Sequence, residues 1–216
     1  MSQKNNMHSA EYIKTKVIDF FIELLGKEKI ILGNEVMYGT TRKVVDLLLL
    51  TNDSLTAIEI KSENDNLLRL KEQLFEYHKN FNKIILCITE KHLTQIKKNI
   101  DKNVGILLYK EDSIQVIKNP IIRKKLDKKE ILHSIPSVYL KQISEKKINA
   151  LNSDEVRAYY SSKPLYQIQK EYYRYMASRL QENYNLFISE RGSVSHIDDI
   201  PLLSLRSTII DSTFIH

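Results

Sequence analysis

One cysteine, five glycines and no long apolar run: the scarcities of this 216-residue chain narrow its class first. The single thiol, Cys87, leaves neither a disulfide framework nor a cysteine-based zinc cluster, even beside six histidines. It lies inside KIILCIT (83–89) and reads as a small core residue in a protein of a reducing compartment. No apolar stretch approaches the ~18 residues of a membrane span. The start, MSQKNNMHSAEY, lacks the basic stretch and apolar core of a secretory signal. The expectation is a cytoplasmic protein with no membrane partner. Length and a 42% apolar composition allow one sizeable core, alone or with a helical extension.

Charge is present in quantity and unevenly placed. The net charge is +6, and residues 121–190 alone carry 13 basic against 8 acidic side chains. A basic surplus of this size suits a polyanion partner without proving one.

Periodicity divides the chain. Residues 9–25 read as an amphipathic helix, with Ser9 as N-cap and Gly26 as terminator. IILGNEVMY is a short apolar piece carrying Glu35, and Gly39 marks a turn. RKVVDLLLL (42–50) and LTAIEIKS (55–62) are strands joined by the turn TNDS (51–54). From Asn66 to Phe81 apolar residues recur at threes and fours, a helix preceded by the capping-type residues Asn64 and Asp65. KIILCIT is a strand buried on both faces, 91–100 a helix, and 105–112 and 114–118 short strands. The fold class expected is α/β: a mixed sheet flanked by helices over 1–120, a basic helical extension over 121–190, and an irregular tail over 191–216, with a short strand at STIID as one option. Breaks in the extension are expected near Pro136, Asn152–Ser153 and Ser161–Pro164.

The hairpin raises the chemical question. If Leu50 faces Leu55, Asp46 lies opposite Glu59, and opposed residues share a face with Cβ atoms ~4.5–5.5 Å apart. Lys61 joins Glu59 by alternation, while Ile58 and Ile60, with Val45, Leu47 and Leu49, point the other way. Two carboxylates so placed need a proton or a cation. A hard divalent ion answers, Mg²⁺ first, with the Ile60 carbonyl as a third oxygen. Lys61 would then act on a water or a phosphate. A structural strand pair, with Lys61 bridging one acid, accounts for the same residues. Gln73 falls on the apolar stripe of the following helix between Leu70 and Tyr77, so its amide needs a partner there or a route to solvent.

Asp46, Glu59-Ile60-Lys61 and Gln73-x-x-x-Tyr77 together resemble the PD-(D/E)XK nuclease superfamily, of restriction-endonuclease-like fold. The last element is similar to that of RecB-type nucleases, and the run EIKSENDNLLRLKEQLFEY…FNKIILCITEKH resembles a bacterial subgroup of the superfamily. The resemblance covers about 10–112. It implies a hydrolase cutting DNA phosphodiester bonds with Mg²⁺ or Mn²⁺, in repair, recombination or phage defence, with RNA not excluded as substrate. It implies Asp46 and Glu59 as metal ligands, Lys61 as the catalytic lysine, Glu35 as an upstream acid, and Gln73 and Tyr77 as support. Read from its surroundings alone, Glu35 is equally a surface acid. The position before Asp46 holds Val45 rather than proline, and Arg42 stands further back than the arginine that related sequences often place there. Arg42 and Arg69 are candidate phosphate contacts or solvated charges. His78 and His92 read as surface or packing residues.

The segment 163–184 interleaves Lys163, Lys170 and Arg174 with Tyr166, Tyr172, Tyr173 and Tyr175, as nucleic-acid contact requires. An amphipathic helix packing Leu165, Ile168, Tyr172, Met176 and Leu180 on the core explains the same pattern. Two other functions stand beside the nuclease: a nucleic-acid-binding or adaptor module with weak or no catalysis, and a metal-dependent phosphohydrolase of small molecules. A homodimer or a larger repair or defence complex is compatible with each.

Overall fold

The computed structural model describes residues 9–205 apart from 53 and 145–147. Helix α1 (Ala10–Leu25) opens on Ser9, whose hydroxyl accepts from the Tyr12 N–H, 3.1 Å, and closes at Gly26 with φ 85°. Three antiparallel strands follow: β1 (Ile31–Tyr38), β2 (Lys43–Thr51) and β3 (Ser54–Lys61). Then α2 (Leu70–Asn80), β4 (Lys83–Thr89), α3 (Glu90–Asn99) and β5 (Gly105–Lys110) build two parallel crossovers, and β6 (Ser113–Lys118) returns antiparallel. The strand order is the chain order, β1 to β6. The short turn at 51–54 suffices for the antiparallel hairpin, whereas parallel neighbours need crossovers long enough to hold a helix.

Each face of the sheet carries one apolar cluster. Ile13, Val17, Ile18 and Phe21 of α1 pack on Leu47, Leu49, Ile58, Ile60 and Cys87. The other face packs Leu70, Leu74 and Tyr77 of α2 against Leu48, Leu50, Ala57, Leu86 and Ile88. The extension adds α4 (Lys128–Ser134), α5 (Ser137–Gln142), α6 (Ser153–Ser161) and α7 (Leu165–Glu190). Its breaks fall as expected. Pro136 precedes α5, and Asn152 caps α6 reciprocally with Glu155. Ile168, Tyr172, Met176 and Leu180 of α7 join the α2-side cluster, while Tyr184 and Phe187 join the α1-side cluster. The long helix thus passes from one face to the other along the edge strand β1, whose unpaired backbone it helps to cover. Gly33 permits the approach: a Cβ there would lie 2.7 Å from Leu180.

Two expectations are corrected. The helix after β3 starts at Leu70, because Asp65 instead accepts from the Ser62 N–H and hydroxyl, both 2.7 Å, and closes a turn. The described part of the tail is not irregular throughout: a 3₁₀ segment (Ile197–Leu203) buries Ile200 and Leu203, and Ser204 bridges to Asn34 of β1. STIID lies outside the described residues. Among the described residues no helix is long and apolar enough to cross a membrane.

Candidate active site

The β2–β3 register is the one expected, with Leu50 facing Leu55 and Leu47 facing Ile58. The ladder stops there, one pair short of Asp46 and Glu59. Asp46 takes over the bonding itself: its Oδ2 accepts the Ile60 N–H at 2.8 Å. On the other side, β1 pairs with β2 at Asn34–Leu47 and again at Val36–Val45, skipping Glu35 and Asp46. Glu35 has φ 50°, a left-handed backbone that breaks the pleat at this level. Alternation changes phase across the break. Val45 therefore packs in the same cluster as Leu48 and Leu50, not with Leu47 and Leu49 as strict alternation required.

Glu59 keeps its place in the sheet, opposite Leu86 of β4, and is 1% exposed. A buried carboxylate is tolerable only with donors around it. It has three. Lys61 Nζ and Gln73 Nε2 each donate to Oε1 at 2.7 Å, and the Tyr77 hydroxyl donates to Oε2. Burial, then the neighbouring Glu59 charge, holds the Tyr77 pKa well above the usual phenol value, so it stays a donor. Gln73 leaves one atom over: its Oε1 is buried with no partner.

Asp46 is partly buried. Burial first, and the Glu59 carboxylate second, push its pKa up to about 6; the Ile60 N–H, Lys14 and Lys61 oppose the rise. Lys14 went unnoticed in the sequence. It is buried on α1 and donates to Asn34 Oδ1 at 2.7 Å. The signal was its position, four residues before Ile18 on the apolar stripe of α1.

Asp46, Glu59, Lys61, Gln73 and Tyr77 are thus brought together. The donor set is hard oxygen, and the unpartnered Gln73 Oε1 beside it can accept from a water; both features fit Mg²⁺ or Mn²⁺. Among the described residues no three His, Cys, Asp or Glu side chains are grouped to hold a metal, so Glu35 does not complete a triad with the pair. Glu35 is exposed and lines a cavity beside β1 instead.

The other candidates are dispersed. Arg42, at φ 52° in the β1–β2 turn, lines the same cavity as Glu35. Arg69 is exposed at the start of α2. His92 is buried, its Nε2 3.0 Å from the Ser62 carbonyl, and it anchors the loop after Lys61. His78 lies 3.4 Å from Asp101. On the extension, Lys163 stands over the Tyr159 ring at 5.0 Å and lines a surface cleft with Lys170 and Tyr166. Arg174 pairs with Glu171 at 2.9 Å. Tyr172 and Tyr175 are buried and cannot stack on a base, whereas Tyr166 is 66% exposed. The amphipathic reading therefore describes the inner face of α7.

Comparison with known proteins gives three findings. A family model described as "Bacteriophage P4 protein cII" matches residues 3–204. Protein cII of Enterobacteria phage P4 is 30% identical over 83 residues, 38% of this chain; the match spans 31% of that protein's length. A protein of unknown function from Silicibacter pomeroyi, SPO1766, superposes with TM-score 0.41 and 12% identity, over 70% of this chain and 92% of its own.

Proposed function

This chain belongs to the bacteriophage P4 protein cII family, and we propose that it is a metal-dependent nuclease hydrolysing DNA phosphodiester bonds. One observation carries the reading. At the place where β2 leaves β3, a desolvated Asp46 stands beside a buried Glu59, with the Lys61 ammonium 2.7 Å from that carboxylate. Asp46 and Glu59 would hold Mg²⁺ or Mn²⁺, which supplies Lewis-acid stabilisation of charge developing on the phosphoryl group. Lys61 cannot ligate a cation, so its ammonium serves the scissile phosphate or orients the attacking water. Gln73 fixes Glu59 through its amide N–H and offers Oε1 to a water; Tyr77 fixes the second Glu59 oxygen. The bases Lys163, Lys170 and Arg174 of the extension are proposed to contact the DNA backbone, with Arg69 as a further phosphate contact.

A specific observation favours a second reading, a nucleic-acid-binding module with little catalysis. Both Glu59 oxygens already have donors in Lys61, Gln73 and Tyr77, so the carboxylate is satisfied without a cation. Incubation with single-stranded, duplex, flap and junction DNA in Mg²⁺, Mn²⁺ or EDTA separates the two. Cleavage in metal, absent in EDTA and in Lys61→Ala, is expected. Binding without cleavage of any substrate in either metal would leave the second reading standing and remove the first.

A further inference from the structure

Between the β1–β2 hairpin and helices α4–α7 lies a cavity of about 470 Å³, separate from the residues around Glu59. Its size falls within the ~300–1,000 Å³ range of small-molecule sites. Three arginines line it: Arg42 from the hairpin turn, Arg157 from α6 and Arg179 from α7. They come from three separate elements, so a helical charge run does not explain their meeting. Glu35 is the one carboxylate among the described lining residues.

The arginines are little neutralised. No described carboxylate lies within 4.0 Å of Arg42 or Arg179. Arg179 donates to the Tyr175 hydroxyl at 2.7 Å, and the Arg42 Nε–H points to the Met37 sulfur at 3.0 Å, a weak acceptor. Arg157 meets Asp154 only at 3.8 Å, and its buried Nε–H has no partner at all. Guanidinium forks suit phosphate oxygens in particular.

The same cavity has an apolar part. Met37 and Val44 face each other across the β1–β2 ladder, and each is 40% exposed. Two neighbouring apolar side chains open to a cationic cavity are wasted on a bare inorganic ion but suit the flat face of a base.

We infer that this cavity is a nucleotide site, in which Arg42, Arg157 and Arg179 receive a 5′-phosphate and Met37 and Val44 carry the base. The inference is independent of the metal reading, since no residue of the Glu59 cluster lines the cavity. The phosphomonoester comes either from a free nucleotide or from the phosphorylated end of a strand.

The test is calorimetric titration in EDTA, where cleavage cannot interfere. The probes are 2′-deoxyadenosine 5′-monophosphate, deoxyadenosine, inorganic phosphate, and a single-stranded dodecamer with a 5′-phosphate or a 5′-hydroxyl. The nucleotide should bind at least tenfold more tightly than either the nucleoside or phosphate alone, with an affinity that falls as salt rises. Arg42→Asn combined with Arg179→Gln should weaken it tenfold or more. Both side chains are exposed, and asparagine tolerates the left-handed backbone at 42, so the fold should survive. Competition by the 5′-phosphorylated dodecamer, and not by its 5′-hydroxyl counterpart, assigns the site to a strand end; nucleotide binding without that competition assigns it to a free nucleotide. Equal binding of nucleotide and nucleoside, no saturable nucleotide binding at millimolar concentration, or wild-type affinity in the double variant would overturn the proposal.

Discussion

Removing a charge from the proposed metal site should stabilise the metal-free protein, and Asp46→Asn is the substitution that shows it. The Asp46 carboxyl has its pKa displaced from 3.8 to about 6, by burial first and by Glu59 second. A raised folded-state pKa means that the folded chain holds the proton more tightly than the unfolded one. That contribution to stability is fully present below pH 3.8 and is lost as pH rises through about 6. A displacement of this size corresponds to at most about 3 kcal/mol, and residual solvent access lowers the expected effect to roughly 1–3 kcal/mol. Asparagine does not titrate, yet its Oδ1 can still accept the Ile60 N–H that Asp46 holds at 2.8 Å. Urea denaturation in EDTA should therefore place Asp46→Asn above wild type at pH 8. At pH 4, where Asp46 is protonated in the folded protein, the gap should close. Adding Mg²⁺ at pH 8 should raise wild type and leave the variant behind, because a ligand that binds only the folded state stabilises it by mass action. An Asp46→Asn protein less stable than wild type at pH 8, or a gap of equal size at both pH values, would refute the argument that the site is strained by its own charge.

The α/β class was legible because the strands and helices of 1–120 have opposite periodicities and clear punctuation. Ser9, Gly26, the 51–54 turn, Pro136 and Asn152 all mark boundaries where the chain turns. Lys61 beside Glu59 followed from strand alternation, and the need of Gln73 for a partner from its place on an apolar stripe, whereas Tyr77 entered only through the family resemblance. What the alternation rule missed lies at one level of the sheet. A left-handed Glu35 and a skipped pair change the phase of β1 and β2, move Val45 to the α2-side cluster and leave Asp46 bonded to backbone. Nothing in the residue types announces this, since glutamate is not a residue that favours positive φ. Lys14 and the path of α7 across β1 depend on tertiary neighbours, and the ordering of 197–203 depends on surfaces supplied by distant elements.

Lys61→Ala should abolish metal-dependent cleavage, by about a hundredfold or more, while calorimetric Mn²⁺ binding is kept or tightened, since a positive charge leaves the acid pair; cleavage at the wild-type rate would make Lys61 structural. Neutralising Lys163, Lys170 and Arg174 together should weaken DNA binding and flatten its dependence on salt, because every phosphate contact removed takes away the counterion release that accompanied it; an unchanged salt titration would assign that surface no role in binding. Tyr77→Phe separates the electrostatic role of the hydroxyl from the packing of the ring. The ring sits among Tyr38 and Phe81 with centroids 5.6 and 5.8 Å away, and phenylalanine keeps that packing. Only the bond to Glu59 Oε2 is lost, leaving one oxygen of a carboxylate that is 1% exposed without its donor. The expected cost is about 1–3 kcal/mol in EDTA. A bound cation that takes up the freed oxygen should shrink that cost, so the loss measured in Mg²⁺ should be smaller than in EDTA. An equal loss in both would mean that the cation does not reach Glu59, and the assignment of this carboxylate as a ligand would fall.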